Sequence, residues 1–168
     1  MGGEPDVHPS LEPLGWMVGT WIGVGVGGYP TVESFRFAQE IEVVSDGRPL
    51  LTWRSRSWLL DDDGRRTRPG AGETGFWRPG ASGDDGPASV ELLLAHATGH
   101  VEIYYGAPGP RQVEVATDLV AGTSTAKQVG ASTRLYGQVD DDLAWVLEMA
   151  AVGRPLQPHL SARLSRQG

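Results

Sequence analysis

The chain has 168 residues, a length that suits one domain with a substantial core. Its net charge of −7 argues against an electrostatic grip on nucleic acid or on an anionic membrane surface. Cysteine is absent, which excludes a disulfide framework and a thiolate metal site. No apolar run reaches the roughly 18 residues of a membrane-spanning helix, and the first residues lack the features of a signal peptide. We therefore expect a cytoplasmic protein without nucleic-acid or membrane partners.

The N-terminal residues predict a loose arm followed by a short helix. Residues 1–9 are mostly polar, and we expect them to form a flexible arm. Ser10 suits the N-cap position, and one or two helical turns then carry an apolar face made of Leu11, Leu14, Trp16, Met17 and Val18. This helix is expected to plug one end of a single β-barrel domain that spans residues 10–168.

A G-x-W-x-G-x-G pattern follows, with Gly19, Trp21, Gly23 and Gly25 at its fixed positions. Glycine at every second position removes side chains from one face of a strand, which is typical of a bend or of close approach by another group. Residues 23–28 also satisfy the G-x-G-x-x-G dinucleotide pattern, but that motif needs a helix at its end. A Tyr-Pro-Thr turn and a β-rich run follow instead, so we interpret the segment as a first barrel strand.

The rest of the chain consists of short predicted strands separated by turn signals. Residues 32–44 alternate apolar and acidic side chains, the pattern of a half-buried strand. Glycine, proline and aspartate turns, and a loop over residues 80–88, separate further strands at 51–59, 73–78, 89–97, 100–105, 111–119, 125–139, 143–151 and 159–166. About ten antiparallel strands with almost no helix indicate a sandwich or a closed barrel, and the pattern alone does not separate these two.

The four histidines are His8, His96, His100 and His159, and we expect no paired-histidine metal site among them. By alternation, His159 lies on the face opposite to Leu160 and Leu164, so the plainer interpretation is a surface histidine on an edge strand. The alternative is an axial haem ligand, because a neutral imidazole beside an apolar cavity binds haem iron well. That alternative requires a bulge at Pro158, or an apolar face that points outward.

Two further histidines and one lysine are the other candidate ligand residues. His96 shares a strand face with Leu92 and Leu94, so it is expected to point inward, either to a ligand or as a hydrogen-bonded core residue. His100 follows a hairpin glycine and is expected to be exposed. Lys127 is either an ordinary solvated lysine or a partner for a carboxylate.

Taken in order, these motifs resemble the nitrobindin family over nearly the whole chain. The resemblance rests on the glycine pattern, on Tyr29-Pro30-Thr31 and on Pro158-His159-Leu160, with supporting matches at His8-Pro9, residues 75–79, Thr125–Lys127 and Arg134–Tyr136. It implies an all-β fold, namely an antiparallel ten-stranded closed β-barrel of the lipocalin or calycin type with a short N-terminal helix.

The resemblance also implies a cofactor and an activity. It implies one haem b per chain near one barrel mouth, with His159 as the proximal axial iron ligand. Thr31 and Lys127 would contact the haem or its propionates, His96 would lie near the haem edge, and the glycines of the first strand would make room for the macrocycle. The implied activity is that of a haem-dependent peroxynitrite isomerase, in which ferric haem converts peroxynitrite to nitrate and nitric oxide is a further ligand.

Two other functions remain open on the sequence. The barrel could be a non-enzymatic carrier of an apolar ligand, like the lipocalins, or a haem-based nitric oxide sensor. A single domain without an output module favours catalysis. The sequence leaves a homodimer open.

Overall fold

Ten antiparallel strands close on themselves to form the barrel. The computed structural model describes residues 6–81, 88–151 and 153–168. The strands are β1 Gly19–Tyr29, β2 Val32–Ser45, β3 Leu51–Leu60, β4 Arg66–Pro79, β5 Val90–His96, β6 His100–Gly109, β7 Gln112–Gly122, β8 Val129–Val139, β9 Asp142–Ala151 and β10 Gln157–Gln167. Each strand pairs with its neighbours in the chain, and β1 pairs with β10. The predicted closed barrel is confirmed, and the sandwich is excluded.

The strand bounds differ from the predicted ones mainly at β4 and β8. β4 begins at Arg66 instead of residue 73, because its polar first half pairs with the end of β3. β8 begins at Val129 instead of residue 125, because residues 123–126 form a hydrogen-bonded turn. Most of the predicted loop over 80–88 lies outside the described residues.

Large aromatic side chains fill one half of the barrel. The fully buried ones are Trp21, Trp53, Trp77, Tyr104 and Tyr136. Tyr136 meets Trp53 and Trp77 edge to face, with ring centroids 5.2 and 5.6 Å apart. Such aromatic pairs add about 0.5–1.5 kcal/mol to the stabilisation from burial. This half is therefore a packed core, and any ligand must enter at the other end.

A 3-10 helix over Pro9–Met17 closes the packed end. Its buried residues Leu11, Leu14 and Met17 recur every third position, which matches the three residues per turn of this helix type. Each contributes about 1.5–3 kcal/mol by leaving water. The N-cap is His8 instead of the predicted Ser10: the His8 ring accepts a hydrogen bond from the Ser10 amide at 3.2 Å. The predicted plug is therefore present.

The last residues of the predicted arm are attached to the barrel. Val7 packs against the core, and Ser45 donates a hydrogen bond to the Asp6 carbonyl at 2.6 Å. Pro9 already begins the helix. The flexible arm predicted over residues 1–9 is thus too long at its C-terminal end, and residues 1–5 lie outside the described part of the chain. In the described ranges, no helix combines the length and hydropathy needed to cross a bilayer.

Candidate functional site

The end of the barrel opposite the helix encloses a cavity of about 610 Å³. This volume lies within the range of cofactor and small-molecule sites. Its wall is largely apolar and includes Phe35, Phe37, Leu59, Leu147, Met149 and Leu160. Three histidines, His96, His100 and His159, also line it. The cavity therefore combines apolar walls with several possible metal donors.

A larger concavity of about 900 Å³ lies on the outer wall. Its lining includes the outward-facing side chains of Val24 and Val26, which are 61% and 55% exposed, and no histidine. Size alone thus does not locate the functional site, and the interior cavity has the relevant chemistry.

His159 reaches the cavity because β10 contains a bulge. Pro158 pairs with Glu148 and Leu160 pairs with Leu147, so His159 is an extra residue between two successive pairs of the ladder. A bulge of this kind re-aims a side chain. Both His159 and Leu160 consequently line the cavity, while the regular alternation resumes at Ala162. Of the two arrangements left open by the sequence, the bulge is the one observed.

The tautomer of the His159 ring follows from its hydrogen-bond partner. Nδ1 lies 3.0 Å from the carbonyl oxygen of Gly28. A carbonyl can only accept, so Nδ1 carries a proton, and in this tautomer Nε2 is the nitrogen that has the lone pair. The ring of Tyr29 stands edge-on to the imidazole at 5.6 Å, and the Tyr29 hydroxyl is anchored by the Ala151 amide at 2.9 Å. The end of β1 therefore holds the imidazole with Nε2 free for a metal.

Thr31 and Lys127 lie at the mouth of the cavity. Both residues are exposed to solvent and both line the cavity. This is the placement expected of groups that meet the polar edge of a mostly buried ligand. Their contact with a cofactor stays a prediction.

The glycines of β1 serve strand packing and do not widen the cavity. A Cβ on Gly25 would lie 2.5 Å from the Ser161 carbonyl oxygen and 2.7 Å from Cβ of Ala162, and it would also strike the Phe37 ring. A Cβ on Gly23 would collide with the backbone of β10. Gly19, Trp21, Gly23 and Gly25 are all absent from the cavity lining. The prediction that these glycines make room for a macrocycle is wrong, because neighbouring groups already fill the space.

Trp21 belongs to the closed end of the barrel. It is fully buried, and its indole donates a hydrogen bond to the Met17 carbonyl at 2.8 Å. The guanidinium of Arg166 lies over its ring, 4.2 Å from the centroid. The tryptophan of the motif thus ties β1 to the helical plug.

His96 and His100 form a second histidine group in the cavity wall. His96 points inward as expected, with Nε2 2.5 Å from Oε1 of Glu102. The ring of His100 stacks on that of His96, with centroids 3.9 Å apart and planes at 7°. The expectation that His100 is exposed is wrong, since its side chain is only 14% exposed. The spacing His96-x-x-x-His100 was the signal for this pair, and the expectation of no paired histidines is wrong as well.

A buried ion pair adjoins these histidines, and the sequence did not single it out. Arg134 donates to both carboxylate oxygens of Glu73, each at 2.8 Å, and also to the hydroxyl groups of Tyr104 and Tyr136 at 3.1 and 2.9 Å. Tyr104 in turn donates to Glu102 at 2.8 Å. Arg134 shares the inward face of β8 with Ser132 and Tyr136, at every second position, which was the available signal.

The pKa values in this network follow from burial and charge. Burial by itself raises the pKa of Glu73 and of Glu102. Arg134 outweighs it at Glu73, and the hydrogen bond from His96 together with Arg134 outweighs it at Glu102, so both carboxyl pKa values are lowered. Burial, followed by the charge of His96, lowers the pKa of His100. Near neutral pH both carboxylates are therefore ionised and the His100 ring is neutral.

The comparisons with known proteins agree with this geometry. A family model described as a THAP4-like, heme-binding beta-barrel domain matches residues 10–166. The chain belongs to this family. The predicted resemblance to the nitrobindin family is confirmed by this match and by relatives that carry the nitrobindin name.

One relative in this family is a protein of Salinispora tropica named peroxynitrite isomerase. It is 49% identical over 98% of this chain and 84% of its own length. A protein of Kineococcus radiotolerans named ferric nitrobindin-like protein is 44% identical over 96% of this chain and 95% of its own. The crystal structure of Rv2717c from M. tuberculosis superposes with a TM-score of 0.80 at 34% identity, covering 96% and 99% of the two chains.

Proposed function

We propose that this chain binds one haem b in the interior cavity and, with the iron in the ferric state, isomerises peroxynitrite to nitrate. The observation that carries the proposal is the His159 imidazole, which lines the cavity with Nδ1 bound to the Gly28 carbonyl and Nε2 free. Relatives named peroxynitrite isomerase, such as that of Salinispora tropica, supply the reaction class. Nitric oxide binding to the same iron belongs to the proposal.

The residues of the cavity fit a haem group by their chemistry. An apolar slot lined by Phe35, Phe37 and Leu160 suits the faces of a macrocycle. The exposed hydroxyl of Thr31 and the ammonium group of Lys127 suit the propionates at the mouth. His96 lines the same cavity, where we assign it to the cofactor surroundings and not to the iron, because Nε2 is bonded to Glu102.

The chain supplies binding, orientation and exclusion of water. A bound ferric haem would supply Lewis-acid and redox chemistry at its iron. The Nε2 atom of His159 would ligate the metal, and the hydrogen bond from Nδ1 to Gly28 would fix the ring and increase its basicity. The apolar walls would keep water away from the bound substrate.

The ligand assignment is tested with the variant His159→Gly. Reconstituted wild-type protein should show a strong Soret band, and the variant should lose it while its far-UV circular dichroism is unchanged. Added imidazole should restore the band, because it fills the space left by the side chain and supplies the same donor. His8→Ala is the matched control, since His8 lies on the helical plug away from the cavity. Full haem retention in His159→Gly without imidazole would refute the assignment.

Stopped-flow kinetics separate the enzyme from a carrier or a sensor. Peroxynitrite decay should accelerate in proportion to ferric protein, and the nitrate yield should rise at the expense of nitrite. The same concentration of His159→Gly should give the uncatalysed rate. A Soret band without acceleration would favour the sensor, and the absence of haem binding would favour the apolar-ligand carrier. The homodimer and the cytoplasmic location stay predictions from the sequence.

A further inference from the structure

The hairpin between β5 and β6 brings three metal-donor side chains together in the cavity wall. His96 ends β5, His100 begins β6, and Glu102 follows two residues later on the same inward face. Their donor atoms all lie within 4.8 Å of one another. In the strand order of the closed barrel, β5 is five strands from β10 in either direction, so this hairpin lies across the mouth from His159.

The Nε2 atoms of both imidazoles approach the same carboxylate oxygen of Glu102. Nε2 of His96 is 2.5 Å from Oε1 of Glu102, and Nε2 of His100 is 3.8 Å from the same oxygen. The shorter distance, from His96, is that of a hydrogen bond, whereas the longer distance, from His100, exceeds the hydrogen-bond range. A metal ion accepts all three donors at once. Two donors around a tetrahedral zinc ion stand roughly 3.3–3.5 Å apart, so the two nitrogen–oxygen gaps need to change by about 1 Å or less. The rings, stacked with their planes at 7°, would also have to tilt so that both lone pairs meet the ion.

The outer partners contact the Nδ1 atoms, so a metal ion would have to displace only the proton that Nε2 of His96 shares with Glu102. Nδ1 of His100 is hydrogen-bonded to Oγ1 of Thr98 at 3.0 Å, and Nδ1 of His96 lies 3.7 Å from Oε2 of Glu73. Metal-ligating histidines commonly use their second nitrogen in this way, on a hydroxyl or a carboxylate that fixes the ring. The hairpin thus has both the inner donors and the outer supports of a metal site.

The charge balance of the wall favours a cation. Arg134 is paired with Glu73 through two hydrogen bonds of 2.8 Å, while its nearest approach to Glu102 is 3.8 Å. Two carboxylates and one guanidinium leave one negative charge, and Glu102 is 2% exposed at its side chain. A divalent ion bound by the two imidazoles would neutralise this carboxylate where water cannot.

We infer that His96, His100 and Glu102 form a second metal site, which binds a first-row divalent transition ion such as Zn²⁺ separately from any haem on His159. Two imidazoles and one carboxylate are the donor set of known zinc sites that keep a coordination position open. All three residues line the cavity, so a ligand in the cavity could complete the coordination. The site depends on its own hairpin and not on the proposed haem function.

Titration calorimetry with Zn²⁺ on the full-length chain tests the site, with Co²⁺ absorption as a second probe. One equivalent should bind to the wild type, and Co²⁺ should give d–d bands between about 500 and 650 nm, typical of four- or five-coordinate N/O ligation. His100→Ala and Glu102→Gln should each reduce the affinity by at least about 100-fold, and Thr98→Ala, which removes only an outer support, by about 10-fold. Near-UV circular dichroism of each variant establishes that it is folded.

Two controls separate this site from the haem ligand. His159→Gly should bind Zn²⁺ with wild-type affinity although it loses the Soret band, and His8→Ala should behave as wild type in both measurements. No binding by the wild type, undiminished binding by folded His100→Ala, or loss of Zn²⁺ binding in His159→Gly would each overturn the inference. Failure of the haem proposal, by contrast, leaves the Zn²⁺ titration of the wild type unchanged.

Discussion

Arg134 and Glu73 face each other inside the barrel with both guanidinium–carboxylate contacts at 2.8 Å. The Arg134 side chain is 3% exposed and that of Glu73 is 12% exposed. Trp53 also donates to Glu73 at 3.1 Å, so the pair is tied to the packed aromatic end while Glu102 beside it belongs to the cavity wall. This ion pair connects the core with the site.

Replacing Arg134 by Met should lower the free energy of unfolding by about 3–5 kcal/mol, because it leaves buried carboxylates uncompensated. Arg163→Met is the control. Arg163 pairs with Asp142 and Asp140 on the surface, where an ion pair contributes less than about 1 kcal/mol. Urea unfolding of both variants checks the difference. Equal losses for the two arginines would contradict the role given to burial.

Gly25→Ala should destabilise the barrel by about 1–3 kcal/mol, the usual cost of overpacking. The new methyl group would press on the Ser161 carbonyl and on Ala162 in β10. Gly130→Ala is the matched control in β8, where the nearest atom is the Ala150 carbonyl oxygen at 3.5 Å. That change should be neutral or stabilising by about 0.4–1 kcal/mol through the unfolded chain. Thermal unfolding of both variants at the same pH measures the contrast, and a tolerated Gly25→Ala would mean that β1 and β10 can separate.

Tyr29→Phe should reduce stability by about 1–3 kcal/mol and leave the proposed haem binding intact. The hydroxyl accepts from the buried Ala151 amide at 2.9 Å and donates to the Met149 carbonyl at 3.1 Å, and its loss leaves these groups unpaired. The ring that packs edge-on to His159 is kept. Chemical unfolding and the Soret intensity report the two effects separately. A variant that unfolds normally but loses haem would show that the hydroxyl, not the ring, positions the imidazole.

The free energy of unfolding should decrease in two steps as the pH is lowered from neutrality. The pKa of His100 is lowered in the folded chain from 6.5, mainly by burial, so the unfolded chain binds more protons below about pH 6.5 and stability decreases as the pH drops. The lowered pKa values of Glu73 and Glu102 contribute stability that is present above about 4.5 and is lost as the pH falls through the folded values. Urea midpoints measured from neutrality to acid check this. His100→Asn should flatten the first step only, and a first step unchanged in that variant would assign it to another group.

More of the fold than of the site could be predicted from the sequence. Alternation identifies the inward faces of strands such as β2 and β5, and the family resemblance supplies the closure that alternation cannot. His159 shows where the pattern fails: strict alternation turns it outward, and only pairing with β9 reveals the bulge. Pro158 indicated where the strand could be irregular, but it did not determine the direction of the His159 side chain.

The polar network around Arg134 could not be predicted from the sequence, because it consists of contacts between residues that are far apart in the chain. Arg134 and Glu73 are 61 residues apart in the chain, and their pairing requires the closed barrel. His100 looks like an exposed turn residue, yet its ring folds back over His96. The spacing of these two histidines was visible in the sequence, but their convergence on Glu102 needed coordinates.

The extra residue in β10 makes the C-terminal strand sensitive to the loss of a single codon. Deleting Pro158 would let the ladder continue without interruption, and His159 would then stand opposite Glu148, a solvent-facing position. The residues from Leu160 onward would keep their places. An in-frame deletion of one amino acid would therefore remove the His159 imidazole from the cavity while the hydrophobic interior stays intact.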